Sequence, residues 1–505
     1  MELELNRIHL TGYDTVLDTT VFQEETLETI VPDASPDILR LVDTQGTVLL
    51  KSKTASDGRV TLTGTARLTV LYLPDGGTGP CRMEVHIPFG LTVEEKRIKT
   101  GCQIGAVLKV SSADARTVNP RKVVVRAEIA ADIKVYVGSI IHLCTGISAA
   151  EGTAEQRLEV HRPICISAVQ EKQISFEDTL MIPAGRPAAE EIMSSRVQLI
   201  CNESKLIGSK LIFKGEAAVQ VFYRPAGGGL DTADFLLPIS QIMEVSGVGE
   251  EGKCSVEMAL SAADLTLGAD GRSISAALSM LAQVAVREER NLELLADTYS
   301  TCCPVCVEQT AYDYPRCQAE GIGHQTVREI IETGMVIRSV VGAYSSLGRM
   351  EQVRERTQLR LSTEVLVTAF CLTEESELCA ISHVFEVNCP VEVPESCSCR
   401  FGCRCMDLIA TPAASGVEVR FTLNFPYINL QDTHAVVVKD VAVEAAAEED
   451  KLPQPSIVLR VMEDGERLWD VAKRYRTTVG DILRANGLEV EQAAAGTLLL
   501  IPRKR

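Results

Sequence analysis

Val60-Thr-Leu-Thr-Gly64-Thr-Ala-Arg-Leu-Thr-Val70-Leu-Tyr72 is the stretch that decides the fold. Val60, Leu62, Ala66, Leu68, Val70 and Tyr72 alternate with polar neighbours, the period of two that lines up one face of a β-strand. Adding 151 to each number gives Leu211, Phe213, Ala217, Val219, Val221 and Tyr223 in the same phase, and Gly64 maps to Gly215. The same shift relates Pro32 to Pro183 and Pro74 to Pro225, and carries Val125, Ala127, Ile129, Ile133 and Val135 onto Ala276, Leu278, Met280, Val284 and Val286. One offset held over that length is an internal repeat. A further 148 leads to Leu359, Leu361, Val365, Val367, Ala369 and Cys371, so a third, more divergent copy is expected, with Val417, Val419, Phe421, Leu423 and Phe425 as its later strand.

Long alternating strands with one buried face suit antiparallel sandwiches, and copies of roughly 150 residues are too long for solenoid units. The expected fold is mainly β: three tandem antiparallel β-sandwich-like repeats over 1–155, 156–310 and 311–445, an acidic, proline-bearing linker over 446–455, and a small βααβ module over 456–505. The linker is expected to be semi-extended and to let the module reach outward.

With 505 residues and 46% apolar content the chain can bury several cores. Its formal charge of −19 argues against nucleic acid, which requires a basic footprint. The charge is uneven: residues 456–505 hold nine Lys/Arg and seven Asp/Glu, a net of +2, which leaves −21 on the rest. No basic, apolar leader opens the sequence and no apolar run is long enough to span a bilayer, so a cytoplasmic protein with mostly reduced thiols is expected.

The terminal module reads clearly. Val458 and Val461 form a short strand that breaks at Asp464-Gly465, and Leu468, Val471, Ala472 and Tyr475 recur at helical spacing. Thr478 is a good N-cap for a second helix that ends at Asn486-Gly487, and Leu498 to Ile501 close the unit before Pro502. This segment resembles the LysM family, on Gly465, Leu468, Trp469, Ala472, Tyr475, Leu483, Asn486, Gly496, Leu498, Ile501 and Pro502. The family's usual Asp-Thr is replaced by Glu466-Arg467. The resemblance implies a groove with one wall at Gly465, Glu466, Arg467 and Leu468 and the other at Asn486, Gly487 and Leu488. A guanidinium in place of a hydroxyl suits a partner offering carboxylates better than N-acetylglucosamine, or else it is a solvated surface charge.

The tandem β-rich copies followed by this module resemble the SipL-like, SPOCS-domain spore-envelope morphogenetic proteins of spore-forming Firmicutes. The residues that carry the likeness are Leu27 to Asp33, its echo Leu180-Met-Ile-Pro183, and the strand ends Tyr72-Leu-Pro-Asp-Gly and Tyr223-Arg-Pro-Ala-Gly. The resemblance implies a non-enzymatic coat and cortex scaffold in the mother cell at the forespore surface. Its sandwiches would supply self-association surfaces, and its LysM module would dock onto the ATPase of the coat basement layer. Peptidoglycan is the alternative partner.

Other motifs are weaker. Gly247-Val-Gly249-Glu-Glu-Gly252 matches a dinucleotide fingerprint in letters, but strand-like alternation follows it and two glutamates would repel a pyrophosphate. Cys397, Cys399, Cys403 and Cys405 are the one candidate metal or redox cluster, the alternative being a flexible cysteine-rich loop; no cofactor is expected. Cys302, Cys303, Cys306 and Cys317 form a second group. The seven histidines are scattered, and Trp469 is expected to pack the module's core beside Tyr475.

Overall fold

Gly64 shows why the repeat keeps its glycine. In the computed structural model, which describes residues 3–76, 79–149, 154–356, 358–444, 455–491 and 494–503, the strand beside Gly64 bulges between Leu50 and Ser52 and brings the Leu49 carbonyl far inside contact distance of any Cβ placed there. Gly215 meets the Ile200 carbonyl in the same way beside its own bulge. In the third copy the bulge lies between Leu347 and Met350, which face Val365 and Thr363. Thr363 is tolerated there.

The first copy comprises β1 (Glu4–Ile30), β2 (Ile38–Ser56), β3 (Arg59–Pro74), β4 (Cys81–Glu94), β5 (Gln103–Asn119) and β6 (Lys122–Ser148), followed by β7 (Ala154–His161). The second comprises β8 (Ile164–Met181), β9 (Ala189–Ile207), β10 (Lys210–Pro225), β11 (Asp231–Glu244), β12 (Lys253–Leu267) and β13 (Ser273–Glu289), followed by β14 (Leu292–Ser300). The third comprises β15 (Val305–Glu332), β16 (Ile337–Glu355), β17 (Gln358–Thr373), β18 (Leu378–Glu392), β19 (Cys397–Phe401), β20 (Arg404–Ala413) and β21 (Gly416–Val443). Each copy sets a three-stranded antiparallel sheet, β2-β3-β4, β9-β10-β11 or β16-β17-β18, against a sheet built on its long strands, and each fills the space between with its own apolar cluster. The outermost strands β4, β11 and β18 each contain a proline, Pro88, Pro238 and Pro390, which blunts an open sheet edge.

The copies are not a string of separate beads. A single bridge, Tyr13 to Ile166, joins the long-strand sheets of copies one and two into one six-stranded sheet. Leu71, Phe222 and Phe370, which occupy the same repeat position, are each fully buried in one cluster with Met193, Tyr344 and Leu378. Around that cluster the polar contacts run in a cycle. Gln45 donates to Ser194 Oγ at 2.9 Å, Arg196 donates to the Ser345 carbonyl at 3.0 Å, and Tyr344 donates to Asp43. Gln45, Arg196 and Tyr344 are again equivalent positions, so copy one contacts two, two contacts three, and three returns to one. This is head-to-tail contact closed into a ring.

Beyond the ring, the long strands continue as two-stranded arms. The ends of β1 and β6 make one arm, β7 and β14 the second, and the start of β15 with the end of β21 the third. The arms pack together through Leu143, Leu294 and Val437 in one layer and Cys144, Leu295 and Val438 in the next. Between ring and arms lies a cavity of about 1420 Å³ lined by all three copies. Lys134 pairs with Glu257 at 2.5 Å and Arg400 with Asp18 at 3.3 Å along its walls, each pair joining two copies.

The terminal module has β22 (Ile457–Val461), α1 (Leu468–Tyr475), α2 (Val479–Asn486) and β23 (Leu498–Pro502), with β22 and β23 paired antiparallel. Its core is Met462, Leu468, Val471, Ala472, Val479, Ile482, Leu499 and Ile501. The expected outward reach is not what is seen: the module rests against β14, whose Tyr299 joins its core cluster. Residues 446–454 of the expected linker lie outside the described residues.

Candidate functional site

The two loops of the expected groove are held by the module's own backbone. Gly465 (φ 77°) and Gly487 (φ 64°) sit in the left-handed region that only glycine enters freely, and Gly487 ends α2. Thr478 caps α2, accepting from the Asp481 N–H at 3.0 Å. Arg467 is at the N-cap of α1 and makes no side-chain cap; instead its Nε donates to Asp470 Oδ2 at 3.0 Å, and its side chain remains 59% exposed. The hydrogen bond between them holds the Asp470 carboxyl below its ordinary value and the Arg467 guanidinium above its own.

The other expected groove residues have different roles. Glu466 turns inward and accepts from Arg460 at 2.7 Å, with both side chains largely covered. Leu468 is 1% exposed and belongs to the core, so it does not line the groove wall in which it was expected. Asn486 is a structural clamp: its amide donates to the Ile482 and Leu500 carbonyls and its oxygen accepts from the Leu500 N–H at 2.7 Å, tying α2 to β23. Leu488 packs partly on the core. The exposed lip of the groove therefore reduces to Gly465, Arg467 and Gly487.

Comparison with known families places these elements. The family "SipL, SPOCS domain" matches residues 37–118 and 188–267, and the LysM domain family matches 463–502. The architecture is SipL-like. Tandem SPOCS segments with a C-terminal LysM domain point to a spore-related, LysM-containing envelope protein. The SPOCS matches run from β2 into β5 and from β9 into β12, so the ring-forming positions Gln45, Leu71, Arg196 and Phe222 all lie within them. No curated protein and no solved structure matches the chain.

The cysteine-rich segment is not a flexible loop. Cys397 and Cys399 alternate inward on β19 and Cys405 inward on β20, all three buried in the third copy's core. Burial pushes the Cys399 thiol up to about 11 and Cys403 up to about 12, which opposes the thiolate a metal needs. Among the described residues, no three His, Cys, Asp or Glu side chains converge at metal-binding distance. Gly247 to Gly252 is a turn leading into β12, as the alternation of Cys254 to Met258 implied. No helix among the described residues is long and apolar enough to cross a membrane.

Sequence reasoning missed the anchoring role of Trp469. It is half-buried, and its Nε1 donates to Asp297 Oδ2 at 2.7 Å on β14. A conspicuous signal was present in β14 itself, where Leu292 to Ser300 is almost wholly apolar or uncharged apart from Glu293 and Asp297.

Proposed function

We propose that the chain is a non-enzymatic scaffold for spore-envelope morphogenesis in the mother cell, and that its LysM module docks onto the ATPase of the coat basement layer. The observation that carries this reading is Arg467. An exposed guanidinium, aligned by Asp470, stands at the groove lip where the family has a short hydroxyl, and it suits a carboxylate-bearing protein better than an uncharged sugar. SPOCS and LysM are non-catalytic domain families, which agrees with a structural role. The closed ring supplies a rigid body, and the −21 carried outside residues 456–505 leaves the weakly basic module as the end best suited to an acidic partner.

The alternative is peptidoglycan, favoured by the LysM match itself, since such domains commonly bind it. The full chain and its Arg467→Asp variant would be tested side by side for capture by the coat ATPase and for retention on purified peptidoglycan. Loss of ATPase capture in the variant, with no retention of either protein on the glycan, supports the scaffold. Strong retention on peptidoglycan would sink it.

A further inference from the structure

One face of α1 is already engaged, and by a different surface from the groove. Trp469 and Lys473, four residues apart and so on one side of the helix, both reach the Asp297 carboxylate: Trp469 Nε1 donates to Oδ2 at 2.7 Å and Lys473 Nζ to Oδ1 at 2.6 Å. Two residues along β14, and so on the same strand face, Tyr299 donates its hydroxyl to the Thr477 carbonyl at 2.7 Å and sets its ring edge-on to Trp469, 4.9 Å between centroids. Arg157 of β7 places its guanidinium 5.8 Å from the same indole. Asp297 is 7% exposed and Tyr299 5%, so both depend on the module to cover them.

The chemistry is that of a receptor and a short ligand. A buried carboxylate satisfied by an indole N–H and an ammonium, beside an aromatic ring that enters the module's core cluster, is a two-point recognition of an extended strand. The contact brings Asp297, Tyr299 and Arg157 of the arm against Trp469, Lys473 and the Thr477 carbonyl of the module. A module on a short tether sees its own strand at an effective concentration on the order of millimolar, so even a weak contact of this kind stays closed in cis.

We propose that the α1 face is a recognition surface for an extended polypeptide carrying a carboxylate and an aromatic ring two residues apart, and that β14 occupies it in cis and must be displaced by such a partner. A ligand for this face then pays for opening: if the cis contact is closed about ten to one, its apparent affinity in the intact chain is weakened about tenfold. The inference is independent of whether the Arg467 groove takes protein or glycan.

The test uses the full chain and its lone tryptophan, Trp469. The opened variant is Asp297→Ala with Tyr299→Ala, and the probe is a synthetic peptide of residues 296–301, Ala-Asp-Thr-Tyr-Ser-Thr. Expected are greater acrylamide quenching of Trp469 in the opened chain, and reshielding by the peptide with an apparent Kd about tenfold tighter than in the wild type. A peptide with alanine for its aspartate should not reshield. Lys473→Ala, which leaves β14 and the arms intact, should also raise quenching and so decides the matter if the double variant fails to fold. Unchanged quenching in Lys473→Ala, equal peptide affinity in closed and opened chains, or no reshielding at all would each overturn the proposal.

Discussion

Tyr344 in the third copy donates its hydroxyl to both carboxylate oxygens of Asp43 in the first, at 3.0 and 2.8 Å, and so closes the ring of repeats. Burial pushes the Asp43 carboxyl up to about 6, against the downward pull of the Tyr344 hydroxyl and the Arg196 charge. The folded value lies above the unfolded one, so the proton is bound more tightly in the fold. The resulting stabilisation is complete below the ordinary carboxyl value and is lost as pH rises through about 6. From this group alone, the protein is expected to gain roughly 1 kcal/mol between pH 7 and pH 5. Asp43→Asn should remove that increment, read as a smaller rise in urea midpoint on acidification than the wild type shows.

Phe222 stands on the ring axis with its ring 4.9 Å from that of Phe370, and is fully buried. Phe222→Ala is expected to cost about 3–5 kcal/mol, because the three sheets cannot all collapse onto one void. Small-angle scattering should report a larger radius of gyration if the lobes separate. A variant with undiminished denaturation midpoint and unchanged scattering would show that the axis contributes little.

Arg467 leaves α1 without a side-chain cap. Arg467→Thr should restore one, a gain of about 0.5–2 kcal/mol, while giving up an exposed ion pair valued at about 0.2–1 kcal/mol. A modest net stabilisation of the LysM module is expected, followed as a rise in the melting temperature reported by Trp469 fluorescence. A fall would mean that the Arg467–Asp470 pair matters more than the cap.

Cys302, in the turn between β14 and β15, and Cys306, at the start of β15, are exposed, whereas Cys371, Cys389, Cys399 and Cys405 are buried and their thiols pushed up by burial. A thiol reagent at neutral pH should therefore label Cys302 and Cys306 first in the native chain and reach those four only on unfolding. Peptide mapping after a short pulse of iodoacetamide would identify the modified sites. Early labelling of Cys399 or Cys405 would contradict the buried strands.

The strands were legible because alternation and a fixed offset are properties of one face of one sheet. The ring was not, because its contacts lie on the opposite face and its equivalent residues differ in kind. Gln45, Arg196 and Tyr344 have no common chemistry, and only the out-of-phase apolar series Leu71, Phe222 and Phe370 hinted that the outer face was also covered. The LysM module was legible almost residue by residue, since its caps and turns are local. Its seat on Asp297 and Tyr299 was not, because it joins residues more than 170 positions apart, two of which, Trp469 and Lys473, serve equally well as ordinary helix residues. The cysteines misled for a simpler reason: on a strand, every second thiol points into a core as readily as a valine does.

The closed ring has a consequence for valency. Three separate chains arranged in this way would carry three LysM modules, whereas one chain that contains all three copies carries one. If LysM attaches the chain to a lattice, as proposed, a body of three copies is tied to that lattice only once through this module. On that reading, any branching of an assembly would come from some surface other than this module.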